Sequence, residues 1–131
     1  MPRLPNAMLP VWLASLSHHF RSGYQIKMKL DIHDIGATIA ERQFAGHDGG
    51  KPCLISVKIG KPFQDEDQEG WYCPYSITSG PNQRLFYGAG VDSLQALRIA
   101  ISMIEADLKS RFADLAPEWM GESDLGLTGK L

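Results

Sequence analysis

Residues 90–112, GVDSLQALRIAISMIEADLKSRF, constrain this chain more than any other stretch. Leu94, Leu97, Ile101, Ile104 and Leu108 recur at alternating spacings of three and four, the period of one helical face. Ala96, Ile99, Ala100 and Met103 widen that stripe. Gln95, Arg98, Ser102, Glu105, Lys109 and Arg111 are left for the other side. Asp92 can cap the helix, with Gln95 completing a variant of the capping box, and Pro117 sets its outer limit. Burying the large aliphatic side chains is worth on the order of 10 kcal/mol. Ordering some twenty residues costs more than that. The helix must therefore lie on something. The pattern lasts barely three heptads, so a core helix on a sheet is favoured over a coiled-coil seam.

The sheet is sought in the residues before the helix. Tyr24, Ile26, Met28, Leu30 and Ile32 alternate with polar neighbours, which predicts a half-buried strand over 24–32. Met28 lies inside that strand, which leaves open whether residues 1–27 belong to the native chain. A turn at 33–36 leads to a more polar strand over 38–44, and residues 45–51, AGHDGGK, read as a loop. Cys53, Ile55, Val57 and Ile59 alternate through a third strand, the expected centre of the sheet. After a loop at 60–70, residues 71–79, WYCPYSITS, form a fourth strand. Pro74 cannot donate to a ladder and marks an edge, a bulge or a bend there. Residues 80–82 turn the chain into a short fifth strand at 84–87. The expected fold is α+β: an antiparallel four- to five-stranded meander with one long C-terminal helix across one face. Residues 1–23 read as an N-terminal arm, 24–116 as a single domain, and 117–131 as a loose tail on which Trp119 could dock back.

Composition bounds the function. A chain of 131 residues suggests one domain with a real core. Its net charge of −2 argues against a nucleic-acid footprint. No apolar run reaches the length of a membrane span. MLPVWLASL at 8–16 has a signal-like length, but its basic start is thin and a proline interrupts it. Two cysteines suit a reducing, cytoplasmic setting.

The order IGKP at 59–62, an acidic loop, GWYCPY at 70–75 and GVDSLQAL at 90–97 resembles a family of small uncharacterised bacterial domains. The resemblance spans roughly residues 38–108. It implies a compact α+β unit and transfers no catalytic residue.

Candidate chemistry is sparse. Asp65, Asp67, Glu69 and Gly70 imitate half a calcium loop, but the twelfth position is Ser76 and no helix flanks it, so a solvated loop explains them. Two cysteines and the His18–His19 pair do not supply four zinc ligands, and neither a metal nor a cofactor is expected. Gly88-Ala89-Gly90 could admit an anion to the helix N-terminus, but Asp92 would repel it. Cys53 and Cys73 fall at opposite ends of a hairpin, too far apart to bridge. Cys73 could serve a small enzyme only with one of His18, His19, His33 or His47 folded beside it. No catalytic residue is assigned.

The most functional-looking feature is aromatic: Trp71, Tyr72, Phe86 and Tyr87 in adjacent strands. If Cys73, Tyr75 and Ile77 face the helix, then Tyr72 and one of Phe86 or Tyr87 face outward. The leading expectation is a non-enzymatic module whose outer sheet face meets a protein partner or a second copy, unless the N-terminal arm covers it. The alternatives are the Cys73 enzyme and a single-strand nucleic-acid binder using the sheet aromatics.

Overall fold

The computed structural model describes residues 32–66 and 69–128. The expected strand at 24–32 therefore lies outside the described residues, apart from its last position. Five strands follow: β1 (Thr38–Asp48), β2 (Lys51–Gly60), β3 (Phe63–Gln64), β4 (Trp71–Ser79) and β5 (Asn82–Gly90). One helix, α1 (Ser93–Ser110), and a 3-10 turn (Ala113–Leu115) come next. All pairings are antiparallel: β1 with β2, β2 and β3 with β4, and β4 with β5. The fold is thus the α+β meander with one helix on one face.

The hairpins are tighter than the sequence reading expected. Residues 45–48 are strand, not loop, and β1 pairs with β2 as far as Asp48 opposite Lys51. Gly49 and Gly50, with φ of 61° and 88°, make a two-residue turn whose twist suits the flanking strands. Strand β5 is likewise longer than 84–87, because Ser79 pairs with Asn82 across Gly80-Pro81. Part of the expected loop at 60–70 also pairs, as Phe63 with Tyr72 and Gln64 with Trp71. Between the β2 and β3 ladders, Cys73 and Pro74 have no partner on that side of β4. The missing N–H of Pro74 therefore costs the sheet no hydrogen bond there.

Helix α1 starts as expected. The Asp92 carboxylate accepts from the Gln95 amide at 2.8 Å, and the Gln95 side chain accepts from the Val91 amide at 2.8 Å. Its buried stripe is rotated from the expected one. Ala96, Ala100, Ile104, Asp107 and Leu108 face the sheet, Leu97 and Ile101 flank them, and Leu94 is 63% exposed. The cause is a close approach. A Cβ at Gly88 would lie 2.4 Å from the Ala100 amide nitrogen, and one at Gly90 would lie 2.5 Å from that of Ala96. Small residues on both sides let the backbones meet, so the alanines, not the leucines, sit at the centre.

The helix lies over β5 and β4. It begins over β5 at Gly88 and Gly90, and further along Asp107 reaches both Arg84 of β5 and Tyr75 of β4. The turn that follows ends at β1, where Leu115 comes within 2.9 Å of a Cβ built at Gly46. Residues 117–128 then fold back over the β1 side. Glu118 exchanges both backbone hydrogen bonds with Ala45, at 2.9 and 2.8 Å. Arg42 stacks over the Trp119 ring at 3.8 Å and donates to the carbonyls of Leu125 and Gly126. Leu125 is 2% exposed, so the segment is anchored on the core at that residue.

Candidate functional site

The strand alternation places the aromatics. In β4, Cys73, Tyr75 and Ile77 point to the helix side and are completely buried. Trp71 shares that parity and packs on the core margin. Cross-strand register carries the parity to β5, where Arg84 stands opposite Ile77 and Phe86 opposite Tyr75. Tyr72 and Tyr87 take the other face, with ring centroids 5.5 Å apart and edge to face. The four expected patch residues are therefore split: Trp71 and Phe86 on the helix side, Tyr72 and Tyr87 on the outer side.

Tyr72 is 9% exposed, which makes it a packing residue and not the open contact the sequence suggested. Phe63 lies 5.9 Å from its ring and Tyr87 covers its other flank. Phe63, read from sequence as loop, joins this row because β3 pairs with β4. The Phe86 and Tyr87 rings lie 4.7 Å apart although they belong to consecutive residues, so they meet around the margin of β5. Phe63, Tyr72, Tyr87 and Phe86 thus form a continuous row that ends at the rim of the sheet.

Behind that rim lies a polar node that the sequence reading missed. Asp107, on the buried face of α1, accepts from the Tyr75 hydroxyl at 2.5 Å and from the Arg84 guanidinium at 3.2 Å. Arg111 adds an ion pair at 3.4 Å. The Arg84 guanidinium also lies 4.4 Å from the Phe86 ring centroid. Burial pushes the Tyr75 hydroxyl above its usual range, and the hydrogen bond to Asp107 and its charge push it further. A lone carboxylate among Ala100, Ile104 and Leu108 was the available signal, since an aspartate on an apolar stripe needs a partner.

The two rims of the sheet are unlike. On β1, the tail pairs at Ala45, the register shifts between Thr38 and Ala40, and Glu41, Arg42 and Asp48 bring charge. Each of these discourages further strand pairing. Strand β5 spans nine residues, NQRLFYGAG, without proline, lysine or acid. Its one charge, Arg84, is turned toward Asp107. Among the described residues, β5 pairs only with β4.

The cysteines are placed as the register predicted. Cys53 lies near the Ser79 hydroxyl at 3.9 Å, while Cys73, at the other end of β4, donates to the Gly60 carbonyl at 3.6 Å. Both are free. Cys73 is completely buried, and burial pushes its thiol up to about 11, so it is protonated at neutral pH. No hydrogen bond joins it to His33 or His47. His18 and His19 lie outside the described residues. So does Asp67 of the acidic loop, and among the described residues no group of three or more metal-ligating side chains gathers. Among them, too, no helix is long and apolar enough to cross a membrane.

A family model described as a domain of unknown function (DUF6968) matches residues 40–128. The match takes in residues 109–128, which the sequence resemblance had left out. No curated protein matches the chain, and no solved structure does.

Proposed function

We propose that this chain, which belongs to the DUF6968 family of domains of unknown function, is a non-enzymatic interaction module that binds an extended strand along β5. The observation that carries the reading is that β5, among the described residues, pairs only with β4, while the β1 rim is blocked by tail, bulge and charge. Main-chain hydrogen bonds along β5 supply affinity, and the aromatic row ending in Phe86 and Tyr87 supplies side-chain contact. Tyr72 and Phe63 brace that row from within the outer face. The Asp107 node holds the helix, β4 and Arg84 in place, so the edge is presented by a rigid support. The free thiols of Cys53 and Cys73 support a reducing, cytoplasmic setting.

The test is selection of extended peptides from a random library, followed by amide hydrogen exchange of the protein with each binder. Binders are expected to slow exchange in β5 and leave β1 unchanged. Binders that protect only α1, β1 or the tail overturn the reading.

A further inference from the structure

We propose that residues 24–32 of the same chain lie across the outer face of the sheet, over the corner formed by Gly60, Pro74, Tyr72 and Tyr87. They close that face as α1 closes the other. The inference concerns the outer face and stands apart from the reading of the β5 edge.

The path of the chain into β1 points there. Ala37 is tied to the end of β2, its carbonyl accepting from the Lys61 amide at 3.0 Å. Gly36, with φ of 70°, turns the chain just before it. Ile35 is seated on Gly60, where an added Cβ would collide with the Ile35 carbonyl and side chain. Ile59 is buried on the helix side, so Gly60, one residue on in the same strand, presents its Cβ direction to the outer face. The chain therefore reaches β1 from the outer face. Ile32, three residues before Ile35, is half-buried as well.

The surface at that entry is apolar and already shielded. Alternation and register place Tyr72, Pro74, Leu85 and Tyr87 on the outer face. Gly60 stands one step past Ile59, which pairs with Tyr75, and so beside Pro74. Pro74 is less than 2% exposed and Tyr72 is 9% exposed, whereas Leu54, on the same face at the far end of β2, is 62% exposed. The shielding is thus local to the corner where Ile35 sits. Helix α1 and Leu125 of the tail pack on the opposite face and do not supply it.

Residues 24–32 have the pattern such a face requires. Tyr24, Ile26, Met28, Leu30 and Ile32 alternate with polar residues at the strand period, which gives the segment one apolar side. The helix side has no vacancy for that side, because Ile55, Val57, Tyr75 and Ile77 are already buried there. Nine extended residues reach about 30 Å, while four strands about 4.8 Å apart span about 15 Å, so the segment is long enough to cross the sheet. Charge agrees. The Tyr72 hydroxyl donates to the Glu69 carbonyl at 3.3 Å, so the acidic loop borders the same corner. Lys27 and Lys29, on the polar side of the segment, bring the opposite charge to it.

The test uses the full 131-residue chain with photoreactive benzoylphenylalanine placed at Ile26 in one variant and at Lys27 in another. Isotopically light and heavy chains are mixed before irradiation, and the digest is read by mass spectrometry. The Ile26 position is expected to link within one chain to peptides from β4 or β5, and the Lys27 position to do so about fivefold less or lower, because it faces away. Should the Ile26 variant show no cooperative urea transition, Leu30 carries the same test with Lys29 as its control. Links from the inward position to α1 or to residues 117–128 overturn the proposal. So do links found only between light and heavy chains, which make a second copy's segment the cover, and so does the absence of any link. Equal yields from both positions are the pattern of a strand added at a sheet rim, where alternate side chains take opposite faces, and they overturn it too.

Discussion

The helix-side face of the sheet is closed in two different ways. Over β4 and β5, one regular element does it: α1 lays Ala96 and Ala100 on Gly88 and Gly90, and Asp107 ties it to Tyr75 and Arg84. Over β1 and β2, an irregular segment does it with single contacts: Trp119 on Arg42, Gly126 beneath Trp119, and Leu125 in the core. The first half concentrates its stability in backbone proximity and one buried charge. The second spreads it over side chains that can be removed one at a time. The first should therefore fail globally when damaged and the second locally.

Asp107 offers the strongest way to break that distinction. In Asp107→Ala the Tyr75 hydroxyl and the Arg84 guanidinium lose their shared acceptor in a largely buried setting. Leaving buried partners uncompensated costs about 3 kcal/mol. Urea denaturation followed by circular dichroism should show a single, cooperative transition at a much lower midpoint. A wild-type midpoint would mean that the node is ornamental and that α1 is held by apolar contact alone.

Gly88→Ala is the next largest. Its added methyl would sit 2.4 Å from a backbone nitrogen of α1, which no rotamer change can relieve. The helix must lift, at about 1–3 kcal/mol, again lowering the global transition. The same denaturation experiment checks it. A neutral result would show that α1 rides further from β5 than Gly88 and Gly90 require.

On the other half, Arg42→Ala removes the stack on Trp119 and the donors to Leu125 and Gly126. We expect about 1 kcal/mol, felt locally. Hydrogen exchange should quicken at the amides of Ala45, Glu118 and Trp119, with α1 unchanged. Equal loss of protection in α1 and the tail would show that the two halves are one cooperative unit.

The contrast also explains what could be read in advance. The bounds of β4 and the Asp92 cap follow from local pattern, and the structure keeps them; alternation turned Tyr72 outward with one of Phe86 or Tyr87, and only the register with β4 makes it Tyr87. Separation of the two thiols followed from register alone. In the tail, docking by Trp119 was legible but its partner Arg42 was not, because the two meet through folding and leave no local pattern. Strand β3 was opaque because two residues are too few to show alternation. As for the candidate edge, Phe86 and Tyr87 were legible as aromatics. That β5 runs nine residues was not, since Gly88-Ala89-Gly90 resembles a linker until α1 is seen resting on it.

The smallest expected effect tests the rotation of the helix most directly. A seam centred on the largest aliphatic residues would include Leu94, and placing a lysine in such a seam would be severe. In the structure the seam is centred on Ala96 and Ala100 because glycines opposite them admit the backbone, and this turns Leu94 to solvent at 63% exposure. Leu94→Lys should then change stability by no more than about 0.5 kcal/mol, the scale of an ordinary surface substitution. Ala100→Leu, by contrast, forces a large side chain into the contact with β5 and should destabilise by about 1–3 kcal/mol. Comparing their urea midpoints side by side decides the matter, because the sign of the difference depends on which face is inward. If Leu94→Lys proves the costlier of the two, α1 packs through its leucines and the close approach to Gly88 is wrong.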